Sequence, residues 1–253
     1  MLGRFILGLS ALMTFAELSH AETFVGHSSE VRLQLDFQVA GALVKKFLPA
    51  GWDLDVATSG GAKDCNLRIQ FVDRVAITGP DNQGQSNSQL VYFEVPVKKT
   101  GTDIAGRMVI GGLTTDPKDV PGPFGVYQPA TSHRMERATR SLDGGATEVA
   151  EDWDFAASNG EHVTLHLKFE RGTARTSGGD VKMFSAVDPE HFQIVRNAQG
   201  LDPMRNATVP ARDPISEFSY NASGGILASL FDGNQRVISI DAIEWNTRAL
   251  FKP

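Results

Sequence analysis

Residues 88–115 read SQLVYFEVPVKKTGTDIAGRMVIGGLTT, and their pattern decides the fold class. Val91, Phe93, Val95 and Val97 alternate with Leu90, Tyr92, Glu94 and Pro96. A period of two is the signature of a β-strand, and a second apolar run, Ile104–Leu113, follows a polar break around Gly101. The pair therefore reads as a β-hairpin. Its second arm carries one cation, Arg107, among apolar residues and glycines. Glycines inside a strand mark bulges or places where another backbone or a ligand comes close, which makes Gly111 and Gly112 candidates for a binding wall.

Working outward, Glu30–Phe37 sets Val31, Leu33, Leu35 and Phe37 against Arg32, Gln34 and Asp36, a half-buried strand. Val39–Leu48 switches to helical spacing and is stopped by Pro49 and Gly51, so a short helix is expected there. Asn66–Ile77 returns to period two, whereas Gly79–Ser88 is polar and aperiodic. Glu148–Ala156 and Glu161–Glu170 alternate cleanly across Ser158-Asn159-Gly160, a strong hairpin turn. Arg171–Gly179 reads as a loop, and Asp188-Pro189-Glu190 as the start of a second short helix with Pro at its first position. Ile215–Asn221, Ile226–Phe231 and Arg236–Trp245 are further strands, and the apolar 247–253 tail can rejoin the sheet. Asp116–Pro129, rich in Pro and Gly, excludes regular structure and suits either a binding loop or an exposed connection. The expected architecture is mainly β: one antiparallel, closed β-barrel or a sandwich, with one or two short helices.

The N-terminus sets the expected compartment. Arg4 precedes the apolar stretch Phe5–Ala16, and Ser19-His20-Ala21 offers a small-x-small cleavage site, as in a secretory signal peptide spanning 1–21. The stretch falls short of the roughly 20 apolar residues a membrane span needs. A periplasmic or secreted chain of residues 22–253 in a single domain is expected, with no membrane insertion. Its charge stays at −6, because Arg4 and Glu17 leave together, and that balance argues against nucleic acid as a partner. Cys65 is the sole cysteine, so no intrachain disulfide can form and the fold rests on its core. Self-association is left open.

Several residues invite chemistry. His162 and His166 lie four apart, but on a strand that spacing is about 13 Å, too far for one zinc with ligands near 2 Å. Neither a metal nor a cofactor is expected. Arg107 either pairs with Glu94 on a solvent face or points inward to hold a ligand carboxylate, since an unpaired buried charge is costly and the guanidinium fork matches that group. His133, just after the Pro-rich stretch, either lines a mouth or sits on a solvated strand. Glu151, Asp152 and Asp154 beside Trp153 read as an acidic surface.

Leu48-Pro49-Ala50-Gly51-Trp52, the strand ending Phe71-Val72-Asp73, Glu94-Val95-Pro96-Val97 and Ile104–Gly112 together resemble the acetoacetate decarboxylase family over roughly residues 43–115. The resemblance implies a cone-like β-barrel around a small cavity. The family's chemistry, an imine formed by an activated lysine, does not carry over. Counted from Gly106-Arg107, the lysine pair falls on Thr114-Thr115, and the barrel glutamate falls on Leu90. Lys118 is the nearest amine and only a remote candidate for catalysis. The expectation is a non-decarboxylating relative that binds a small, partly apolar organic ligand, perhaps a carboxylate, through Arg107, Glu94, Gly111, Gly112 and His133. The alternatives are a lyase using a displaced lysine and a structural protein with a filled barrel.

Overall fold

The computed structural model describes residues 22–83, 86–206 and 213–253; the expected signal segment 1–21 lies outside them. In chain order the elements are β1 (Thr23–Gln38), α1 (Gly41–Lys45), β2 (Trp52–Leu54), β3 (Leu67–Thr78), β4 (Ser86–Lys99) and β5 (Ala105–Thr114). A 3-10 turn (Pro117–Asp119) leads to β6 (Tyr127–Ser141), β7 (Thr147–Ala157), β8 (His162–Glu170), β9 (Arg175–Ser185) and β10 (Phe192–Arg205). Then come β11 (Ile215–Ser223), a second 3-10 turn (Leu227–Ser229) and β12 (Arg236–Lys252).

The strands pair in the order β11-β8-β7-β6-β5-β9-β10-β12-β1-β3-β4-β2, and β5 also pairs with β4. The pairings from β5 through β9, β10, β12, β1, β3 and β4 thus return to β5 as a ring. The joint is thin. Beside β9, β5 makes only the register Arg107↔Met183 to Val109↔Ser185, so the ring is partial rather than fully laddered. The expectation of a purely antiparallel sheet is corrected here, because β5 runs parallel to both β6 and β9. Parallel neighbours need a crossover of about a dozen residues. The Pro-rich 115–126 segment supplies one, and the β6–β8 excursion supplies the other.

The central hairpin forms as its alternation predicts, with Val91 opposite Leu113 and Val97 opposite Gly106. Other expectations are corrected. The helix shrinks to five residues, with Val44 buried and Phe47 and Leu48 packed beside the core. Residues 175–179 of the expected loop belong to β9 and residues 188–190 form a turn rather than a helix; β9 and β10 are paired in register from Arg175↔Leu201 to Phe184↔Phe192. β9 is mostly exposed, so it carries no apolar alternation to read. Residues 226–231 do not extend: Leu227–Ser229 form the 3-10 turn, and Leu227 and Leu230, three apart, are buried.

The core lies outside the ring. Leu33, Leu35 and Phe37 of β1, Leu67, Ile69 and Phe71 of β3, and Val91, Phe93 and Val95 of β4 pack against Trp153, Phe155, Val163, Leu165, Leu167 and Phe169 of β7 and β8. Ring centroids lie 5.7 Å apart for Phe71–Trp153 and 5.2 Å apart for Phe37–Tyr220. The sheet β6-β7-β8-β11 is thus a second layer laid over one wall of the ring. The alternate residues of the same strands, Arg32, Gln34, Asp36, Arg68, Gln70 and Glu94, have no solvent face left and point inward.

Candidate functional site

Along its axis the ring interior has three levels. At one end Val72, Leu90, Tyr92, Val109, Met183 and Val195 meet Phe124 and Tyr127, forming an apolar plug. Phe124 and Tyr127 come from the Pro-rich segment, which Ser185 anchors by donating from Oγ to the Phe124 carbonyl at 2.6 Å. That segment is a stopper rather than a lid. Next comes a cavity of about 150 Å³ lined by Arg32, Gln34, Arg68, Gln70, Tyr92, Glu94, Arg107, Val181, Asn197, Gln199 and Ile243. Beyond it a mouth of about 490 Å³ opens between Asp36, Arg68, Arg175, Ser239 and Asp241 and the 61–62 turn. Gln34, Arg68 and Gln199 line both spaces, so the two adjoin.

Three guanidiniums and one carboxylate thus share the wall of a small cavity. Arg32 is held by Glu30, with Nε donating to Oε2 at 2.6 Å. Burial alone would raise the Glu30 carboxyl, but Arg32 and Arg248, with a hydrogen bond from Ser28, hold it down at about 2. Arg68 grips Asp36 with Nε at 2.6 Å and NH2 at 2.9 Å, a bidentate pair. Burial by itself would raise Asp36; Arg68 and Ser239 outweigh it, and the carboxyl ends below the usual carboxylate range.

Arg107 differs from the other two. Half-buried on β5, it makes no hydrogen bond or ion pair among the described residues. Burial and the neighbouring Arg68 push its guanidinium down, and Glu94 and Asp36 offset this only in part. The expected Arg107–Glu94 pair is therefore corrected. Pro96, not Glu94, sits opposite Arg107, and the nearest cation to Glu94 is Arg68 at 3.9 Å. Glu94 sits opposite Val109, two residues along β5 from Arg107.

At the mouth, burial and the adjacent Asp36 push Asp241 up to about 7, against the pull of Arg68 and of hydrogen bonds from Gln34 and Ser239. Gln34 Nε2 donates to Asp241 Oδ2 at 3.1 Å, and Gln70 Nε2 donates to Gln34 Oε1 at 3.0 Å. A relay of amides thus runs from the mouth into the cavity.

The remaining candidates fall elsewhere. A Cβ on Gly112 would lie 2.8 Å from the Tyr127 ring and 2.9 Å from the Val91 carbonyl, so this glycine admits the plug. Gly111 faces Ile226. His133 is exposed on β6, opposite Phe155 in register. Lys118 is exposed on the 3-10 turn, Lys98 pairs with Asp103, and Lys99 pairs with Glu190. Thr114 is buried beside Asp119, and among the described residues no lysine lines the cavity or its mouth. His162 and His166 lie on the outer face of β8, bonded to Asp154 and to Asp152 and Glu217. Glu151 is not on the surface as expected, but is buried and bonded to Arg137 and Trp153. Cys65 is buried, and burial, with Asp36, pushes its thiol up to about 12.

Arg32, Arg68, Gln70, Asn197 and Asp241 were not picked out by sequence reasoning. For those on β1, β3 and β12 the one signal is period-two alternation with apolar residues, and the same pattern serves a solvent face; Asn197 carries no such signal.

No protein-family model and no curated protein matches the chain. The tertiary structure is more informative: the fold is that of the acetoacetate decarboxylase-like proteins. An acetoacetate decarboxylase-like enzyme from Sphingomonas wittichii RW1 superposes with a TM-score of 0.51 at 12% identity, over 97% of this chain and 98% of that one. The enduracididine biosynthesis enzyme MppR complexed with pyruvate does so with 0.51 at 11% identity, over 93% and 91%.

Proposed function

We propose that the ring interior binds a small organic anion, that Arg107 receives its carboxylate, and that the protein does so without lysine chemistry. The observation that carries this reading is the Arg107 guanidinium, which lines the cavity with no hydrogen bond or ion pair of its own among the described residues. Burying a cation in that state is unfavourable, and a carboxylate entering the cavity would take two of its five donors. MppR, of the same fold, is complexed with pyruvate, also a small carboxylate. Nine of the eleven lining residues are polar, which favours a polar ligand over the partly apolar one expected from the family resemblance. The absence of a lysine from the lining favours binding, or chemistry of another kind, over imine formation. The proposed setting is the periplasm or the exterior, resting on the 1–21 segment.

Titration calorimetry with two- to five-carbon carboxylates tests the reading. Binding should fall by about tenfold or more in Arg107→Met, the scale of a charge-assisted hydrogen bond. Affinities that Arg107→Met leaves unchanged, or no binding by any such acid, would overturn it.

A further inference from the structure

Arg107 shares the cavity with a carboxylate as little used as its own guanidinium. Glu94 is 3% exposed and accepts no hydrogen bond among the described residues. Arg68 approaches it only to 3.9 Å, with Nε and NH2 already committed to Asp36. The Glu94 oxygens are not sealed in the wall, as Gln70 Oε1 and Asn197 Oδ1 are, but open onto the cavity. A buried carboxylate in that state is unfavourable and calls for a donor, a charged one being the stronger. Glu94 lies opposite Val109, and Arg107 stands on the same face of β5 two residues along. Diagonal neighbours on paired strands are about 7–8 Å apart, and Glu94 and Arg107 form no ion pair across that interval. The cavity therefore presents one open cation and one open anion with space between them.

We propose that the ligand is a small amino acid, its carboxylate on Arg107 and its ammonium on Glu94. The carboxylate half rests on the reading above, and the ammonium is the new element. Charge balance supports it. Arg32 is spent on Glu30 and Arg68 on Asp36, so Arg107 and Glu94 are the two charges left over in the lining. Arg248 near Glu30 and Asp241 at the mouth add one charge of each sign, and Arg175 at the mouth is exposed and screened by solvent. A zwitterion satisfies Arg107 and Glu94 together and leaves that balance unchanged. A plain carboxylate answers Arg107 alone and brings a second anion beside Glu94. Size agrees: about 150 Å³ equals roughly five waters at ~30 Å³ each, room for an amino acid of few carbons.

The test is calorimetry on the full chain at about pH 8, where Asp241 is largely ionised. Glycine and β-alanine are each compared with the acid that carries a methyl in place of the ammonium, propionate and butyrate, and with glycolate, which donates there without a charge. At least one of the two amino acids should bind about tenfold or more tightly than its methyl analogue, the scale of a charge-assisted hydrogen bond. Glu94→Gln should remove that preference and leave propionate and butyrate bound as before or more tightly. Glu94→Met, of similar volume, serves if Glu94→Gln melts early. Three results overturn the inference: neither amino acid exceeds its methyl analogue, the preference survives loss of the Glu94 carboxylate, or glycolate binds as tightly as the better amino acid. If propionate and butyrate bind through Arg107 and an ammonium adds nothing, this inference fails and the carboxylate reading stands. If neither the amino acids nor the plain acids bind, both fail.

Discussion

Replacing Asp241 by Asn removes a carboxylate that the fold holds against its preference. Asp241 is 6% exposed and faces Asp36 of β1, Arg68 of β3 and Arg175 of β9, with Gln34 and Ser239 as hydrogen-bonding neighbours. Its carboxyl lies at about 7 in the folded chain, against 3.8 for the ordinary group. Because the folded value is the higher one, the native state binds more protons than the unfolded state between those limits. The contribution of Asp241 to stability is then complete below about pH 4, declines as pH rises, and is lost above about pH 7. At about 1.4 kcal/mol per tenfold, the whole shift is worth roughly 4 kcal/mol as a ceiling, and water entering the mouth reduces it. Asn keeps an oxygen for Gln34 Nε2 and never ionises. Urea melts at about pH 5 and pH 8.5 should show the advantage of Asp241→Asn over wild type growing by about 2 kcal/mol, with the slope in urea unchanged. Glu30 and Asp36 titrate in both proteins and cancel in the difference. An advantage that is flat with pH, or that shrinks as pH rises, would show that Arg68 stabilises the ionised Asp241 and would refute the reasoning.

Further outcomes can be checked more simply. Arg32→Met strands Glu30, which is 2% exposed, and should cost about 3–5 kcal/mol in denaturant melts; a loss under about 1 kcal/mol would mean that Glu30 finds another cation. Borohydride reduction in the presence of a keto acid should label no lysine, since among the described residues none lines the cavity or its mouth; near-stoichiometric labelling would restore the lyase alternative. Mass spectrometry of exported protein should begin at Glu22, and material beginning at Met1 would argue against cleavage after Ala21.

Most of the strands that sequence reading located carry large apolar residues two apart on a packed face, and β4 adds Leu90 and Tyr92 of the plug on its other face. β1, β3, β4, β5, β7 and β8 each set large apolar residues two apart, because burial against the second layer requires it. β9 and β10 escaped, since much of β9 is exposed and the ladder to β10, not side-chain burial, holds it extended. Leu227 and Leu230 were misread as strand because an apolar run that short fits a turn of 3-10 helix equally well. Arg107 was legible as a lone cation in an apolar strand. Its supposed partner was not, because the register set at the turn places Arg107 opposite Pro96 and Glu94 opposite Val109, and alternation alone does not fix that register.

The sequence by itself determined the period-two strands, the central hairpin, the β class and the absence of a lysine pair after Arg107, all local properties of spacing and residue type. The tertiary structure alone decided which face of each strand meets water. In β1 and β3, Arg32, Gln34, Asp36, Arg68 and Gln70 alternate with core residues just as a solvent face would. They are enclosed because the strands curl into a ring while a second sheet covers the ring's apolar outside. Ring closure joins strands far apart in the chain, Arg107 of β5 to Met183 of β9 among them, and no local pattern encodes a contact of that range.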